Sequence, residues 1–410
     1  MKKKITKYIL ILVGVFISLI FYLSVVGIET ERFNNQIKDK ITQSNNKIDF
    51  RLKKIKLKLD PLRLKINAKT IGAKIIYQNK ILELEYIKLK ISLISLIKNK
   101  LVSSKLNIST KSIPLKDLIR FARVISDNSK LFFLELAITK GRVIIDLEVN
   151  FDKDGKIKND YKIYGLLKDG KINLFKDYEF KKIDFILDIK NNIYNFRNTN
   201  FTIDNNKFSL DNLKVKRNKN NFLFEGMIEN KKSILSDELF HLIKLKNINL
   251  KKINFDSKNK FSFKLDKNLQ LKDLSITSNI QINKSELEKP EIINKKFIAI
   301  NNIIHLKDHK IKATYKQNNL SVKGSGKIQL QKGFDEIDYI ISSNGSDFHT
   351  ISNITLSELS LKNHQLTKKF FPEINGKINL KNHKININYK DDDLSVKGSG
   401  KIQLQKGFDE

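Results

Sequence analysis

The amino-acid sequence predicts a mainly β protein in which an N-terminal transmembrane helix precedes an elongated, twisted antiparallel sheet with a few short helices. Three observations predict this class: one long uncharged run near the N-terminus, a two-residue spacing of apolar residues that dominates after residue 46, and only four prolines in 410 residues. All four prolines lie between the strand-like runs, as expected because proline cannot donate a hydrogen bond within a sheet.

The uncharged run extends without interruption from Tyr8 to Ile28. As a helix it would be about 30 Å long, which matches the hydrocarbon core of a bilayer. Four lysines lie within the first seven residues, so the positive-inside rule places the N-terminus in the cytoplasm and the rest of the chain across the membrane. A cleaved signal peptide is the alternative, although its apolar region is normally about 7–15 residues long. Residues 1–28 are therefore predicted to form a cytoplasmic tip and an anchor, with Tyr8, Phe16, Phe21, Tyr22 and Ile28 as anchor residues.

Short helices are predicted at three places after the anchor. They are an amphipathic segment in which Phe33, Ile37 and Ile41 recur every four residues, the segment Pro114–Ile125 with proline in its first turn, and the segment Ser233–Lys244. We interpret the last two as plugs or caps of the sheet. The first two belong to a predicted N-terminal module, residues 29–130.

The rest of the chain predicts strands that have one apolar and one polar face. Every second residue is apolar from Val143 to Val149 and again from Ile183 to Ile189, which is typical of strands with one buried and one wet face. The phase of this alternation slips by one residue within 50–59 and within 82–91. Such a slip predicts a β-bulge, which bends and twists the sheet.

Glycines are predicted to mark the turns between these strands. The pairs Asp154-Gly155, Asp169-Gly170 and Asn375-Gly376 are of the type that accepts a positive φ. The segment VKGSGKIQ, residues 322–329, does not match the spacing of a phosphate-binding loop, so we interpret it as a glycine-rich hairpin turn.

The C-terminal part contains an internal duplication. Residues 305–336 align with residues 379–410, and LSVKGSGKIQLQKGFDE is identical in the two copies. We expect residues 131–300 to form extended β repeats and residues 301–410 to form the duplicated ones. The second copy ends at Glu410, before the strand that follows the first copy, which predicts a truncated chain with an open sheet edge at its end.

The formal net charge of +34 suggests a nucleic-acid partner at first sight. The charge comes from 70 lysines and only 8 arginines, however, and nucleic-acid binders usually employ arginine. Abundant lysine, asparagine and isoleucine are what AT-rich codons supply. We therefore expect no nucleic-acid partner, while the basic surface could still face anionic lipid headgroups.

No pattern of catalytic residues is present in the sequence. There is no cysteine, which excludes thiol chemistry. His305 and His309 have the spacing of a helical metal pair, but in a strand they would lie about 13 Å apart. Asp391–Asp393 aligns with Gln317–Asn319 in the other repeat, which favours a solvated turn over a calcium site. We expect no enzymatic activity, no metal site and no cofactor.

Three segments of the chain resemble the AsmA-like superfamily of bacterial envelope proteins, and most closely its YhdP-type branch. They are the anchor Tyr8–Ile28, the following helix ETERFNNQIKDKI, and the block KIDFRLKKIKLKLDPLRLKINAKTIGAKIIYQNKILELEYIKLKISLISLIKNKLVSSKLNIS at residues 47–109. The resemblance covers about residues 1–130, and the remainder is similar only in pattern. It implies a taco-like sheet with an apolar concave groove, a role in phospholipid transport between the inner and outer membranes, and no catalytic residues.

These expectations define a candidate site and its partners. The residues expected to line the groove are Val143, Ile145, Leu147, Val149, Ile172, Leu174, Ile183, Phe185, Leu187, Ile189, Phe261, Phe263 and Leu265. The expected partners are phospholipid acyl chains, the bacterial inner membrane, and an outer-membrane or periplasmic protein, with the bulk of the chain in the periplasm. Two alternatives stay open: a periplasmic assembly factor for outer-membrane proteins, and a structural β stalk that binds no lipid.

Overall fold

The chain divides into two compact units, Met1–Thr202 (unit 1) and Ile203–Glu410 (unit 2). The division falls inside the segment 131–300, which the sequence suggests is one run of β repeats. The computed structural model describes residues 2–44, 49–77, 80–94, 103–126, 130–152, 158, 160–175, 178–203, 206–235, 250–268, 270–289, 300–344, 347–362, 368, 372, 377–390 and 393–404.

Unit 1 combines four described helices with twelve strands. The helices are α1 (Lys2–Val25), α2 (Asn34–Ser44), α3 (Leu115–Ser126) and α4 (Lys130–Ala137). The strands are β1 (Ile28–Thr30), β2 (Asp49–Arg51), β3 (Lys54–Asp60), β4 (Lys65–Ile71), β5 (Lys74–Tyr77), β6 (Lys80–Ser92), β7 (Ser103–Thr110), β8 (Ile113–Pro114), β9 (Ile138–Asn150), β10 (Lys162–Phe175), β11 (Tyr178–Lys190) and β12 (Ile193–Ile203). The main ladder has the order β1-β3-β4-β6-β7-β9-β10-β11-β12, and every pair is antiparallel. Strands β2 and β5 branch from β6, and β8 pairs with β9.

Unit 2 contains ten strands in its described part. They are β13 (Asn206–Arg217), β14 (Asn221–Leu235), β15 (Leu250–Asp266), β16 (Leu271–Glu288), β17 (Ile303–Lys316), β18 (Asn319–Gln329), β19 (Asp335–Asn344), β20 (Asp347–Lys362), β21 (Lys377–Lys390) and β22 (Asp393–Leu404). Each strand pairs antiparallel with the next one along the chain. The predicted fold class is confirmed: the protein is mainly β, with an open antiparallel sheet, few helices and an N-terminal apolar helix.

Helix α1 is long and apolar enough to cross a membrane over the 22 residues Lys4–Val25, and none of this stretch is buried within the chain. Four of the five predicted anchor residues lie on it. Their exposed fractions range from 52% for Tyr22 to 71% for Tyr8, with Phe16 and Phe21 in between. Length, composition and exposure therefore agree with a single membrane-spanning segment.

The anchor ends earlier than the sequence predicts. The N–H group of Gly27 donates to the carbonyl oxygen of Tyr22 at 3.1 Å, and Gly27 has a φ of +77°, the left-handed conformation that glycine favours just after a helix. A side chain at Gly27 would also overlap the carbonyl oxygen of Leu57. The prediction that Ile28 belongs to the anchor is wrong, because Ile28 begins β1 and lies opposite Leu57 of β3.

Two of the three short helices that the sequence predicts are present. Helix α2 contains Ile37, and α3 begins directly after Pro114. The prediction for Ser233–Lys244 is wrong in its first three residues, which belong to β14 because Ser233 and its neighbours pair with β15. Residues 236–244 lie outside the described part of the chain. Helix α4 has no counterpart in the sequence prediction.

The two slips in the apolar alternation have different causes. The slip within 50–59 separates β2 from β3, two strands with different neighbours, so the bulge predicted there is wrong. The slip within 82–91 lies inside β6, where the register with β7 shifts between Leu84 and Tyr86. The bulge predicted there is confirmed.

Two of the turns predicted at glycines are wrong. Asp169 and Gly170 lie inside β10, where Asp169 has a φ of +51° and the register shifts, so this pair forms a bulge. Gly324 and Gly326 lie in the interior of β18. The pairs at residues 154–155 and 375–376 lie outside the described residues.

Each unit has its own buried apolar cluster. In unit 1 the buried members are Phe50, Ala73, Leu82, Leu84, Ile113, Val143, Leu167 and Ile183, with Leu115, Leu118 and Phe121 of α3 packed against them. In unit 2 they are Ile304, Ile328, Leu330, Ile354, Leu356 and Leu359. Both clusters join side chains from strands that are distant in sequence, so they hold the long ladders together.

We expect Leu167→Ala to lower the free energy of unfolding of unit 1 by about 2–5 kcal/mol, because it leaves a cavity in a tightly packed cluster. Leu167 is 1% exposed, whereas Leu62 is 96% exposed and serves as the matched control. Urea unfolding followed by circular dichroism, with hydrogen exchange of β9–β11 as a local readout, measures the effect. Equal stability of the Leu167→Ala and Leu62→Ala variants would contradict this assignment of the core.

Candidate functional site

An apolar face runs laterally across the strands of unit 1. Directly opposed residues of an antiparallel pair project from the same side of the sheet, so the register assigns each side chain to one of two faces. One lateral row, from β6 to β12, consists of Ile87, Ile108, Leu147, Ile163, Ile189 and Tyr194. At about 4.8 Å between strands, this row is about 24 Å long.

Three further rows project from the same side. They consist of Ile28, Leu57, Ala68, Leu89, Leu106 and Val149; of Ile145, Gly165, Leu187 and Phe196; and of Val143, Leu167 and Phe185. We call these four rows the unit 1 apolar face. Val143, Leu167, Val149 and Ile189 are buried, while Ile145, Leu147, Phe185 and Leu187 are half-buried.

The opposite face of the same strands is charged. Asp146 and Glu148 of β9 lie opposite Tyr164 and Lys162 of β10. A carboxylate oxygen of Glu148 lies 2.7 Å from the ammonium of Lys105, and the other lies 3.4 Å from that of Lys162. The hydrogen bond from Lys105 is the main reason that the pKa of Glu148 lies below its ordinary value. The four rows thus contain no charged group, whereas the opposite side carries both these charges and the shorter apolar row Ile144, Leu166 and Ile186.

Helix α3 packs at one end of the unit 1 apolar face. Its side chains Leu115, Leu118 and Phe121 contact the cluster that contains Val143 and Leu167. This is the helix that the sequence suggests is a plug or cap. Further along the same strands, away from α3, the side chains of Leu147 and Ile163 are only half-buried.

A buried carboxylate fastens α4 to α3. Glu135 is 6% exposed, and its two oxygens accept hydrogen bonds from Arg120 Nε at 2.7 Å and from Arg123 Nε at 3.0 Å. Burial alone would raise the pKa of Glu135, but the two arginine hydrogen bonds outweigh it and hold the pKa below its ordinary value of 4.5. The ionised pair therefore stabilises the helical cap.

Unit 2 has an apolar face that is rich in aromatic rings. Phe261, Phe263 and Leu265 of β15 project from one side, and the ring of Phe263 stacks on Phe224 with 4.7 Å between centroids. A Cβ at Gly226 would lie 2.9 Å from the ring of Phe261, so the glycine leaves room for that ring. The lateral row continues from Phe261 through Ile276, Tyr315 and Leu320.

The structure also contains a site that the sequence analysis missed. Tyr339 of β19 lies over Gly324 of β18, and His309 lies beside Gly326. His309 is 2% exposed, and burial lowers the pKa of its imidazole, which favours the neutral ring. The neutral ring can donate from Nε2 to the carbonyl oxygen of Lys327 at 3.0 Å and accept at Nδ1 from the Tyr339 hydroxyl at 3.2 Å. Burial also raises the pKa of Tyr339 to about 12.

A signal for this site exists in the repeat. His309, Gly324 and Gly326 align with His383, Gly398 and Gly400 of the second copy, so the duplication keeps these three residues. A glycine pair and a histidine that recur together in strands indicate close packing. The interpretation of the glycines as a hairpin turn overlooked this.

A cleft of about 890 Å³ lies on the polar side of the strands of unit 2. Most of its lining belongs to two lateral rows: Glu229, Lys258, Asn279, Lys312, Lys323, Ile340 and Ile351, and Asp256, Gln281, Lys310, Ser325, Asp338 and Asn353. The first row contains Lys258, Lys312 and Lys323, and the second contains Lys310. The cleft therefore combines basic and acidic side chains with the apolar side chains Ile340 and Ile351.

The predicted groove residues fall into three groups. The first group lies on the unit 1 apolar face or in the buried cluster beside it: Val143, Ile145, Leu147, Val149, Phe185, Leu187 and Ile189 belong to the four rows, Ile183 belongs to the cluster, and Ile172 packs against it. Leu174 belongs to β10, but its side chain lies outside the described part. Phe261, Phe263 and Leu265 belong to unit 2.

Comparison with family models, with curated proteins and with solved structures found no match. The resemblance to the AsmA-like superfamily therefore stays a prediction. Within the described residues, no group of three or more His, Cys, Asp or Glu side chains is arranged to hold a metal ion.

We expect Glu135→Gln to lower the free energy of unfolding of unit 1 by about 1–3 kcal/mol, because it removes the negative charge and replaces one of the two accepting oxygens with an NH₂ group that faces an arginine donor. Since the folded pKa of Glu135 is depressed, its contribution is present above the ordinary value of 4.5 and is lost as the pH falls through the folded pKa. The difference between wild type and variant should thus shrink as the pH falls below 4.5. The matched control is Glu148→Gln, whose pairs are more exposed and are expected to contribute less than about 1 kcal/mol. Urea unfolding at several pH values tests this, and a pH-independent difference would refute it.

Proposed function

We propose that this protein binds phospholipid acyl chains on its unit 1 apolar face and takes part in phospholipid transport to, or homeostasis of, the bacterial outer membrane. The observation that carries the proposal is the set of four lateral apolar rows, in which Ile145, Leu147, Phe185 and Leu187 stay half-buried in the folded chain. A sheet with one apolar face must cover it with another layer or with a ligand.

The chemistry of the face suits an acyl chain. The rows of the unit 1 apolar face contain aliphatic and aromatic side chains, with no charged group among them. Each buried CH₂ contributes about 0.8 kcal/mol wherever it lies on such a surface. A hydrocarbon chain that moves along a row would therefore meet a nearly flat free-energy profile, which suits transfer better than storage.

The N-terminal helix supports a membrane location for this activity. The exposed apolar stretch Lys4–Val25 suits a single-pass anchor, and the lysines before it favour a cytoplasmic N-terminus. In this proposal the anchor lies in the bacterial inner membrane, and the strands of both units lie in the periplasm. The resemblance to the AsmA-like superfamily supports the same arrangement.

The buried clusters support an alternative function, a structural β stalk that binds no lipid. Leu167 and Val143 are nearly fully buried within the chain, as a self-packed core requires. A stalk predicts that the half-buried rows stay free of lipid. The two functions therefore differ in one measurable property, the contact of lipid with these rows.

A photoreactive amino acid at position 145 should crosslink to phospholipid, and the same amino acid at position 144 should not. Ile145 projects from the apolar face, whereas Ile144 projects from the opposite side and is 38% exposed. The two positions are adjacent and hold the same residue, so they form a matched pair. Mass spectrometry of the full chain, purified in mild detergent after irradiation in membranes, identifies the crosslinked species.

A second variant, Ile145→Glu, should reduce co-purified phospholipid several-fold, because it places a charge on the acyl-binding rows. Ile144→Glu is its control, and a thermal melt checks that both variants fold. Absence of phospholipid from the purified wild-type chain, together with equal crosslinking at positions 144 and 145, would overturn the proposal in favour of the stalk.

A further inference from the structure

The turn between β3 and β4 exposes apolar side chains. It comprises residues 61–64, with the sequence PLRL, in which Leu62 is 96% and Leu64 is 52% exposed. The N–H group of Leu93 donates to the carbonyl oxygen of Leu64 at 2.9 Å, and the next residue, Ile94, is also 52% exposed. We call Leu62, Leu64 and Ile94 the apolar tip. Turns that face water are usually rich in glycine, asparagine and aspartate, so this composition is unusual for a solvated turn.

Hydrogen bonds define the backbone of this turn. The N–H group of Arg63 donates to Asp60 Oδ1 at 3.2 Å, and that of Leu64 donates to the carbonyl oxygen of Pro61 at 3.4 Å. Leu64 has a φ of +49°, a conformation that glycine and asparagine adopt far more readily than leucine. Neither the backbone conformation nor contact with water therefore favours leucine here. Because the N–H groups of Arg63 and Leu64 are satisfied within the turn, the turn can leave water at a lower cost.

Strand β3 runs back alongside the end of the apolar helix α1. The chain leaves α1 through β1, and β3 is antiparallel to β1, so β3 returns toward the helix. The ammonium of Lys58 donates to the carbonyl oxygen of Val25, the last residue of α1, at 2.6 Å. Ile20 and Leu23 are half-buried on a helix that is otherwise mostly exposed, and β3 contacts this helix.

The apolar tip lies further along the same direction. From Lys58 to Pro61 the chain advances about 10 Å in extended conformation. In a helix the same distance corresponds to about seven residues. The turn therefore lies beside the last two turns of α1, within the part of the helix that is apolar enough to span a membrane.

Basic side chains accompany the apolar tip. Arg63 is exposed between the two leucines of the turn, and Lys65 follows as the first residue of β4. Long cationic side chains can keep their charge at the level of lipid phosphates while neighbouring apolar groups enter the acyl region. Anionic headgroups attract such side chains. The turn thus combines the two kinds of side chain that suit a bilayer interface.

We infer that the β3–β4 turn is a second membrane contact, in which the apolar tip enters the bilayer that α1 spans and Arg63 and Lys65 contact anionic headgroups. This inference rests on α1 being a membrane anchor and does not require that the unit 1 apolar face binds acyl chains. The contact would fix the sheet relative to the bilayer. The row that contains Ile28 and Leu57 begins beside it, so the contact would place that end of the unit 1 apolar face against the leaflet.

Single cysteines with attached spin labels test the inference, because the natural chain contains no cysteine. The test position is Leu62→Cys, and the matched control is Phe133→Cys on α4, where the native side chain is 74% exposed. Val149 near the end of β9 shares the lateral row of Leu57, whereas α4 precedes the start of β9, so Phe133 lies at the opposite end of the strands. A third label at Phe16→Cys reports on the anchor.

The full chain is reconstituted in vesicles of equal parts phosphatidylcholine and phosphatidylglycerol. Electron paramagnetic resonance then compares the accessibility of each label to oxygen, which concentrates in lipid, and to a nickel chelate, which stays in water. The ratio of the two accessibilities should be several-fold higher at position 62 than at position 133. A membrane-impermeant maleimide should likewise modify the free cysteine several-fold more slowly at position 62. Arg63→Glu should shift the label at position 62 toward water, because it places a negative charge among anionic headgroups.

The outcomes separate this contact from the anchor. A lipid-exposed label at position 16 together with equal accessibility ratios at positions 62 and 133 would overturn the inference and leave the anchor intact. A water-exposed label at position 16 would overturn both. Dipolar broadening between labels at position 62 would also overturn the inference, because a second copy of the chain would then cover the turn. A thermal melt checks that each variant folds, as expected for substitutions of exposed side chains.

Discussion

The two-residue period of side chains along a strand is the constraint on which the rest of this structure depends. A register error of one residue would move a whole apolar set to the wet face. The strands are long, up to 18 residues in β16. Because sheets twist, strands of this length must bend or twist along their own length to stay paired. Bulges do this, and several contain a non-glycine residue with positive φ: Asp169, Lys182, Lys232, Asp273, Asp308 and Asn382. Each bulge adds one residue and returns the following apolar side chain to the correct face, as in the spacing Leu210-x-x-Leu213.

Sequence periodicity was sufficient to predict the class of the fold and to place the apolar residues of β9 on one side of the sheet. Alternation alone assigns Val143, Ile145 and Leu147 to one side, and the register agrees because β9 is uninterrupted from Arg142 to Glu148. Boundaries set by tertiary contacts could not be predicted in this way. Ile28 continues an uncharged run, but the close approach of Gly27 to the backbone of Leu57 ends the helix and starts a strand. Ser233 begins a helix-like sequence, yet its pairing with β15 keeps it in a strand.

The glycines show most clearly where local reasoning stops. A glycine in a strand is locally unfavourable, so Gly324 and Gly326 suggest a turn when they are considered alone. Their role becomes visible only with Tyr339, which lies on the next strand, and with the buried His309 of the preceding one. The ring packing compensates for the weak strand propensity of both glycines. A partner on another strand lies beyond any pattern within one strand.

The basic composition and the apolar face are independent properties of the same strands. The net charge of +34 requires lysine at a large share of the polar positions, and the register confines most of these lysines to the other side of the sheet. Glu148 with Lys105 and Lys162 illustrates how charge is partly neutralised there without touching Leu147 or Ile163. An acyl chain on the apolar rows would therefore contact only apolar side chains, because alternation along each strand and register between strands place them together. The opposite side can face solvent or anionic headgroups without changing that surface.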